Sequence, residues 1–316
     1  MFDFSALKQR SPILLRGDEY TCYRDPTVFY WHGVFYLYFT LCTTVFHDGG
    51  FTRYIQIGMT KSKDLMTFEP VKALTPMDVS LNYSSPGNII VWEGRFRMCC
   101  QTYCCENGER FGNDHSKIWL MSSDDLEHWD EPRLLRVKGD DVPVEDMGRM
   151  IDAFLIQNPL GEWFCFYKQN GVSFSKSTDL EHWTYLGHAE SGENVCVIKD
   201  GDIYRLWDSP RNGIGEKTSR DLIHWEDTGR LHVFGQADWP WAQGRLSAGY
   251  VLDLRTDPEF KKALMFFHGT GPCDERTIFN QYACISVAWS DDLVHWDYPR
   301  GDFGEWNVNF EHCTGY

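Results

Sequence analysis

The chain is short of positive charge: 30 Lys and Arg stand against 46 Asp and Glu, a formal balance of −16. Phosphate backbones are held by basic surfaces, so a nucleic-acid partner is not expected, and an acidic polysaccharide fits only through a local basic pocket. No apolar run nears the ~20 residues that cross a bilayer, which argues against a membrane partner. No C-x-x-C pair is matched by a second, so the spacing of a structural zinc site is missing and no metal ligands are assigned. The 11 cysteines are odd in number and lie in strand-like contexts such as Met98-Cys99-Cys100 and Tyr103-Cys104-Cys105. Buried reduced thiols account for them. The opening MFDFSALKQRSPILLRG lacks the basic-then-apolar pattern of a secretory signal, and a cytoplasmic location is the expectation. No linker separates independent units, so residues 1–316 are read as one domain.

Aromatic residues, in contrast, are plentiful. The 13 Trp, 15 Tyr and 21 Phe sit mostly in short runs flanked by Gly, Asn and Asp, which favours strands over helices and an all-β class. One motif recurs five times: SKDLMTF at 62–68, SDDLEHW at 123–129, STDLEHW at 177–183, SRDLIHW at 219–225 and SDDLVHW at 290–296. Its spacing is too irregular for a solenoid and suits four-stranded propeller blades with variable loops. In each copy the Ser and Asp are placed to bond turn N–H groups, and the Leu and aromatic to pack between sheets. His128, His182, His224 and His295 are therefore architectural.

A second repeat precedes each copy of the first. Strand, turn, strand units begin at Asp25, Ser85, Asp152, Glu193 and Ser247, each with a turn rich in Gly, Asn or Asp. Five units closed by five D-L-x-x-aromatic segments predict a five-bladed β-propeller, four antiparallel strands per blade around a central channel. Blades fall near 23–76, 80–136, 148–189, 191–232 and 245–300. Ring closure requires one terminus to join the other's blade, and the sequence does not say which.

The innermost strand of each blade lines the channel, so the first residues of the five units converge. Three of them, Asp25, Asp152 and Glu193, are carboxylates, which repel one another unless a shared proton, a cation or a substrate compensates. Glycoside hydrolysis needs such a set, with one carboxylate as base or nucleophile and one carboxylic acid as proton donor to the leaving oxygen. The trio resembles the catalytic set of glycoside hydrolase family 43, in Arg24-Asp25-Pro26, Met150-Ile151-Asp152-Ala153 and Gly192-Glu193-Asn194. The resemblance implies a five-bladed propeller in which Asp25 is the general base, Asp152 modulates the pKa of the acid, and Glu193 is the general acid. Asn194 after the acid and Ala153 after the modulator depart from that family's pattern, and the related propeller families 32, 68, 117 and 130 share the architecture.

The expected substrate is a small neutral oligosaccharide or glycoside, cleaved with inversion and without a required cofactor. A retaining hydrolase, a phosphorylase on the same scaffold, and a non-catalytic carbohydrate-binding propeller are the alternatives. Arg24, Arg149 and Arg245 lie at or just before blade starts, as salt-bridge partners of the acids or as substrate cations, and either role would favour Asp25 as an ionised base. Sugars stack on aromatic rings, which nominates Trp207, Trp239 and Trp241, the last two in the loop ADWPWAQGR at 237–245. Asn88 and His268 are further candidates for the channel, and His268 could hold an axial structural cation or water there. Sugar identity and oligomeric state are not legible.

Overall fold

The alternation of strand formers and turn residues is realised as five antiparallel four-stranded sheets, described by a computed structural model over residues 1–315. Blade one comprises Thr21–Trp31, Val34–His47, Gly50–Ser62 and Lys72–Ala73. Blade two comprises Ile89–Trp92, Arg95–Gln101, Ile118–Ser123 and Arg133–Leu134. Blade three comprises Ile151–Gln157, Trp163–Lys168, Val172–Ser177 and Thr184–Ala189. Blades four and five follow as Glu193–Asp200, Ile203–Ser209, Ile214–Ser219 and Glu226–His232, then Arg245–Leu254, Lys262–Thr270, Cys284–Ser290 and Trp296–Asp297. Strands pair in chain order within each sheet, and the first strand of each blade faces its counterparts across the channel.

The five-fold motif does the same job in every blade. The Ser hydroxyl accepts from the N–H of the motif Leu at 2.8–3.0 Å. The Asp carboxylate accepts the next two backbone N–H groups, as Asp125 does from Glu127 and His128. That turn puts the Leu at φ of 58–68° and buries it between sheets. Four exposed His residues pair with the motif Asp at 2.7–2.8 Å, far from the channel, as an architectural role requires. All eleven cysteines are free and most are buried.

The N-terminal segment closes the ring. Leu14 N–H donates to the carbonyl of Ile285 at 2.8 Å and Ile285 N–H donates to Leu15 at 3.0 Å, which adds a short extra pairing to blade five. Ahead of it the helix Phe4–Gln9, capped by Asp3, inserts Leu7 among Phe35, Leu264 and Trp289 between blades one and five. The C-terminal tail docks over the same seam through Thr314, whose carbonyl accepts from Arg53 at 2.9 Å. Because Leu7 is fully buried, Leu7→Ala should cost about 3 kcal/mol in a urea titration, a core-sized loss from a six-residue terminal helix.

Candidate active site

Each innermost strand carries a β-bulge at the channel. In blade one the pairing Arg24 with Thr40 is followed by Thr27 with Tyr38, so Asp25 and Pro26 together oppose one residue. The same slip follows Ser84, Ile151, Glu193 and Ser247. The first bulge residue is left-handed in every blade: Asp25, Ser85, Asp152, Asn194 and Ala248 have φ of 47, 42, 55, 51 and 58°. None is glycine, so each carries a local strain of about 1–2 kcal/mol that the surrounding packing must hold. A bulge re-aims its side chain, here towards the axis.

This geometry corrects the expected register. Asp25, Ser85 and Asp152 are equivalent, but the equivalents in blades four and five are Asn194 and Ala248. Glu193 and Ser247 sit one residue earlier, level with Arg24, Ser84 and Ile151. Convergence survives because the strand axes converge, and Glu193 lines the same pocket from the pre-bulge position.

A bulged N–H leaves the ladder and needs another acceptor. At four of the five joints a polar side chain on the second strand of the preceding blade supplies it. Thr40 Oγ accepts from Ser85 N at 2.8 Å, Gln101 Oε1 from Asp152 N at 2.5 Å, Ser209 Oγ from Ala248 N at 2.7 Å, and His268 Nδ1 from Asp25 N at 3.1 Å. The corresponding residue of blade three is Lys168, whose ammonium cannot accept. Two of these groups also tie the acids together. Thr40 Oγ–H donates to Asp25 Oδ2 at 2.8 Å, and Ser85 Oγ–H donates to Asp152 Oδ1 at 2.8 Å.

The three carboxyls edge a pocket of about 250 Å³ whose other walls include Tyr103, Phe111, Phe279, Asn280 and the three arginines 24, 149 and 245. Burial pushes the Asp152 carboxyl up to about 7, reinforced by the charges of Glu193 and Asp25, so it holds a proton near neutrality. Burial also raises Asp25; Arg24 and the Thr40 hydrogen bond pull the other way without winning. The adjacent arginine depresses Asp25 as expected, but burial outweighs it.

Arg24 instead pairs with Glu275 at 2.6 Å, and Glu275 also binds Arg245 at 2.8 Å. Arg245 in turn holds Glu193 at 2.5 Å, giving an alternating chain of two acids and two bases along one wall. Glu275 is buried, which opposes ionisation, yet Arg24 and Arg245 hold it down at about 2.

No sequence-family model and no curated protein sequence matches the chain. Solved structures do. A glycoside hydrolase superposes with a TM-score of 0.65 at 14% identity, over 97% of this chain and 96% of its own. A thermostable family-43 glycoside hydrolase gives 0.59 at 14% identity over 91% and 96%. The catalytic domain of the GH62 alpha-L-arabinofuranosidase of Coprinopsis cinerea gives 0.61 at 11% over 88% and 97%. The chain shares the five-bladed propeller fold of these structures. At such identities the likeness is one of fold, and the chemistry rests on the pocket.

Within this propeller, Asp25, Asp152, Glu193, Arg24, Arg149 and Arg245 line one pocket. The remaining candidates lie elsewhere. Trp207, Trp239 and Trp241 are packed in the core of blades four and five, with Trp239 stacked on Trp241 at 5.0 Å, because a 3-10 turn through Pro240 folds that loop inward. They form no sugar platform. Asn88 is buried between blades two and three, bonding the backbone of Leu155 in both directions. His268 is 1% exposed, with Nδ1 on Asp25 N–H and Nε2 against Ser247 Oγ at 3.1 Å. Burial and Arg24 hold its imidazole well below the ordinary range, so it is neutral. With both nitrogens engaged it offers no lone pair to an axial cation, and among the described residues no three His, Cys, Asp or Glu groups are disposed to hold a metal ion.

The residues that sequence reasoning missed are Thr40, Gln101, Asn194, Glu275, Asn280 and the aromatic walls Tyr103, Phe111 and Phe279. For the first two a signal existed. Four of the five second strands end an apolar run on a side chain able to accept a hydrogen bond: YLYFT at Thr40, RMCCQ at Gln101, RLWDS at Ser209 and LMFFH at His268. Glu275 and Phe279 come from the irregular 271–283 loop, where no pattern points to them.

The elevated Asp152 carboxyl makes a signed prediction. Below about pH 4 both folded and unfolded chains hold this proton; between pH 4 and 7 only the folded chain does, and above pH 7 its burial as an anion is a full penalty. Asp152→Asn should therefore match the parent in stability at pH 4 and exceed it increasingly up to pH 7–8, by at most about 4 kcal/mol. Chemical denaturation at several pH values checks this.

Proposed function

We propose that the protein is a glycoside hydrolase acting on a short glycoside that enters this pocket. The observation that carries the reading is the convergence of Asp25, Asp152 and Glu193, from blades one, three and four, on one aromatic-edged pocket whose polar backing fixes each carboxyl. The shared fold of several glycoside hydrolases supports it.

In this reading Asp25 is the base. Thr40 Oγ–H and Asn194 Nδ2–H, the latter at 3.3 Å, orient its two oxygens, and its upward-shifted basicity suits removal of a proton from water at the anomeric carbon. Glu193 is the proton donor to the leaving oxygen, with Arg245 steering its carboxyl and balancing the charge it acquires as the bond breaks. Asp152, its carboxyl lifted to about 7 chiefly by burial, is only partly ionised at neutral pH, which limits the negative charge in the reacting space. Water attack opposite the leaving group inverts the anomeric configuration. Tyr103, Phe111 and Phe279 supply the faces on which a sugar stacks.

A panel of nitrophenyl arabinofuranosides, xylosides, galactosides and fructosides, with and without phosphate, tests the reading. Glu193→Ala and Asp25→Asn should each lower kcat/KM by about a thousandfold or more on the substrate found, with the first-formed sugar showing the inverted anomer by NMR. Unchanged turnover in either variant would overturn these roles, and no turnover of any of these glycosides by the parent would leave the protein a binding propeller.

A further inference from the structure

Two of the three pocket arginines are committed to acids of the protein. Arg24 is held by Glu275, and Arg245 by Glu275 and Glu193. Arg149 differs. Its Nε donates to the carbonyl of Gly112 at 2.6 Å, its guanidinium lies 5.5 Å from the centre of the Tyr103 ring, and its own carbonyl accepts from Gln169 at 3.0 Å. All three partners are neutral, and Arg149 forms no ion pair among the described residues. Its terminal nitrogens make no hydrogen bond within the described chain, and the side chain lines the pocket beside Asp152. A guanidinium pinned through Nε and a ring face, with its fork open, is shaped for a two-oxygen anion.

The charges of the pocket lead to the same place. With Glu193 carrying the proton that its donor role requires, Glu275 and Asp25 face Arg24, Arg245 and Arg149, and Arg149, which acts on Asp152 only through space, is the cation with no acid bonded to it. A monoanion can dock on Arg149 at small electrostatic cost. A dianion such as hydrogen phosphate would meet three carboxyl groups with a single open cation, which disfavours it.

We propose that Arg149 is a specificity residue that receives a carboxylate carried by the substrate sugar, so that the preferred glycoside is a uronoside. This rests on the glycosidase reading for the identity of the ligand as a sugar, and it replaces the neutral substrate expected from overall acidity: a single basic point inside the pocket outweighs a diffuse negative surface at contact distance.

Calorimetric binding decides this without any turnover. Methyl glucuronides and galacturonides of both anomers are compared with the matching neutral glucosides and galactosides, with the methyl esters of the uronides, and with inorganic phosphate, at pH 6 and low salt. At least one uronide should bind about tenfold or more tighter than both its neutral counterpart and its ester, and the preference should weaken as NaCl is raised. Arg149→Met, which keeps the packing on Tyr103, should abolish the preference, and Arg149→Lys should restore part of it. The ester comparison needs no variant and stands if Arg149→Met fails to fold. Equal binding of acid, ester and neutral sugar, a preference that survives Arg149→Met, or phosphate binding without uronide binding would each overturn the proposal. Uronide binding without hydrolysis of any glycoside would sink the hydrolase reading instead, and hydrolysis of neutral glycosides alone would sink only this one.

Discussion

The molecule depends on how one backbone N–H per blade is satisfied at the centre of the ring. Each innermost strand breaks its ladder with a bulge, and the left-handed residue there turns an amide out of the sheet. A buried amide without an acceptor would cost about 1–3 kcal/mol. At four of the five joints the preceding blade answers with Thr40, Gln101, Ser209 or His268. One hydrogen bond thus fixes both the angle between neighbouring blades and the direction in which Asp25 and Asp152 point. Scaffold and site are the same set of contacts, and the neutral state of His268 follows, since a protonated Nδ1 could not accept from Asp25.

The pocket shows a corresponding division of charge. Along one wall Arg24, Glu275, Arg245 and Glu193 alternate, and Glu275 between two arginines allows Arg24 and Glu275 to be buried without an orphan charge. Asp152 is hydrogen-bonded by the Ser85 hydroxyl and opposed through space by Arg149, yet its carboxyl is carried towards neutral pH by burial and by the acids around it. A buried acid held protonated is a standing strain on the fold above its pKa, the kind of local conflict expected where stability has been given up for chemistry. Arg149, open at its fork, lines the same pocket.

Much of this was legible. The five D-L-x-x-aromatic segments and the strand, turn, strand units led to blade number and boundaries because each blade is a local object, built from neighbours in the chain. The acids were found because their residue types are rare at the starts of strands. The tryptophans of 237–245 were misplaced for the opposite reason: a Pro-flanked aromatic pair reads alike whether its loop folds outward over a pocket or inward into the core, and only packing against Phe267 and Tyr298 decides. Glu275 and Phe279 were missed because they reach the site from an irregular loop without periodicity.

By itself, then, the amino-acid sequence determined what repeats: the strands, the turns that cap them, the five-fold count and the candidate acids, all set by interactions over a few residues. The tertiary structure alone decided what closes the ring, which side chains accept four of the bulged amides, which arginine is left without a bonded acid, and how far burial lifts Asp152. Those are contacts made by residues as distant in the chain as Leu14 and Ile285, and no local pattern in a chain encodes the dielectric or the partners that such a meeting creates.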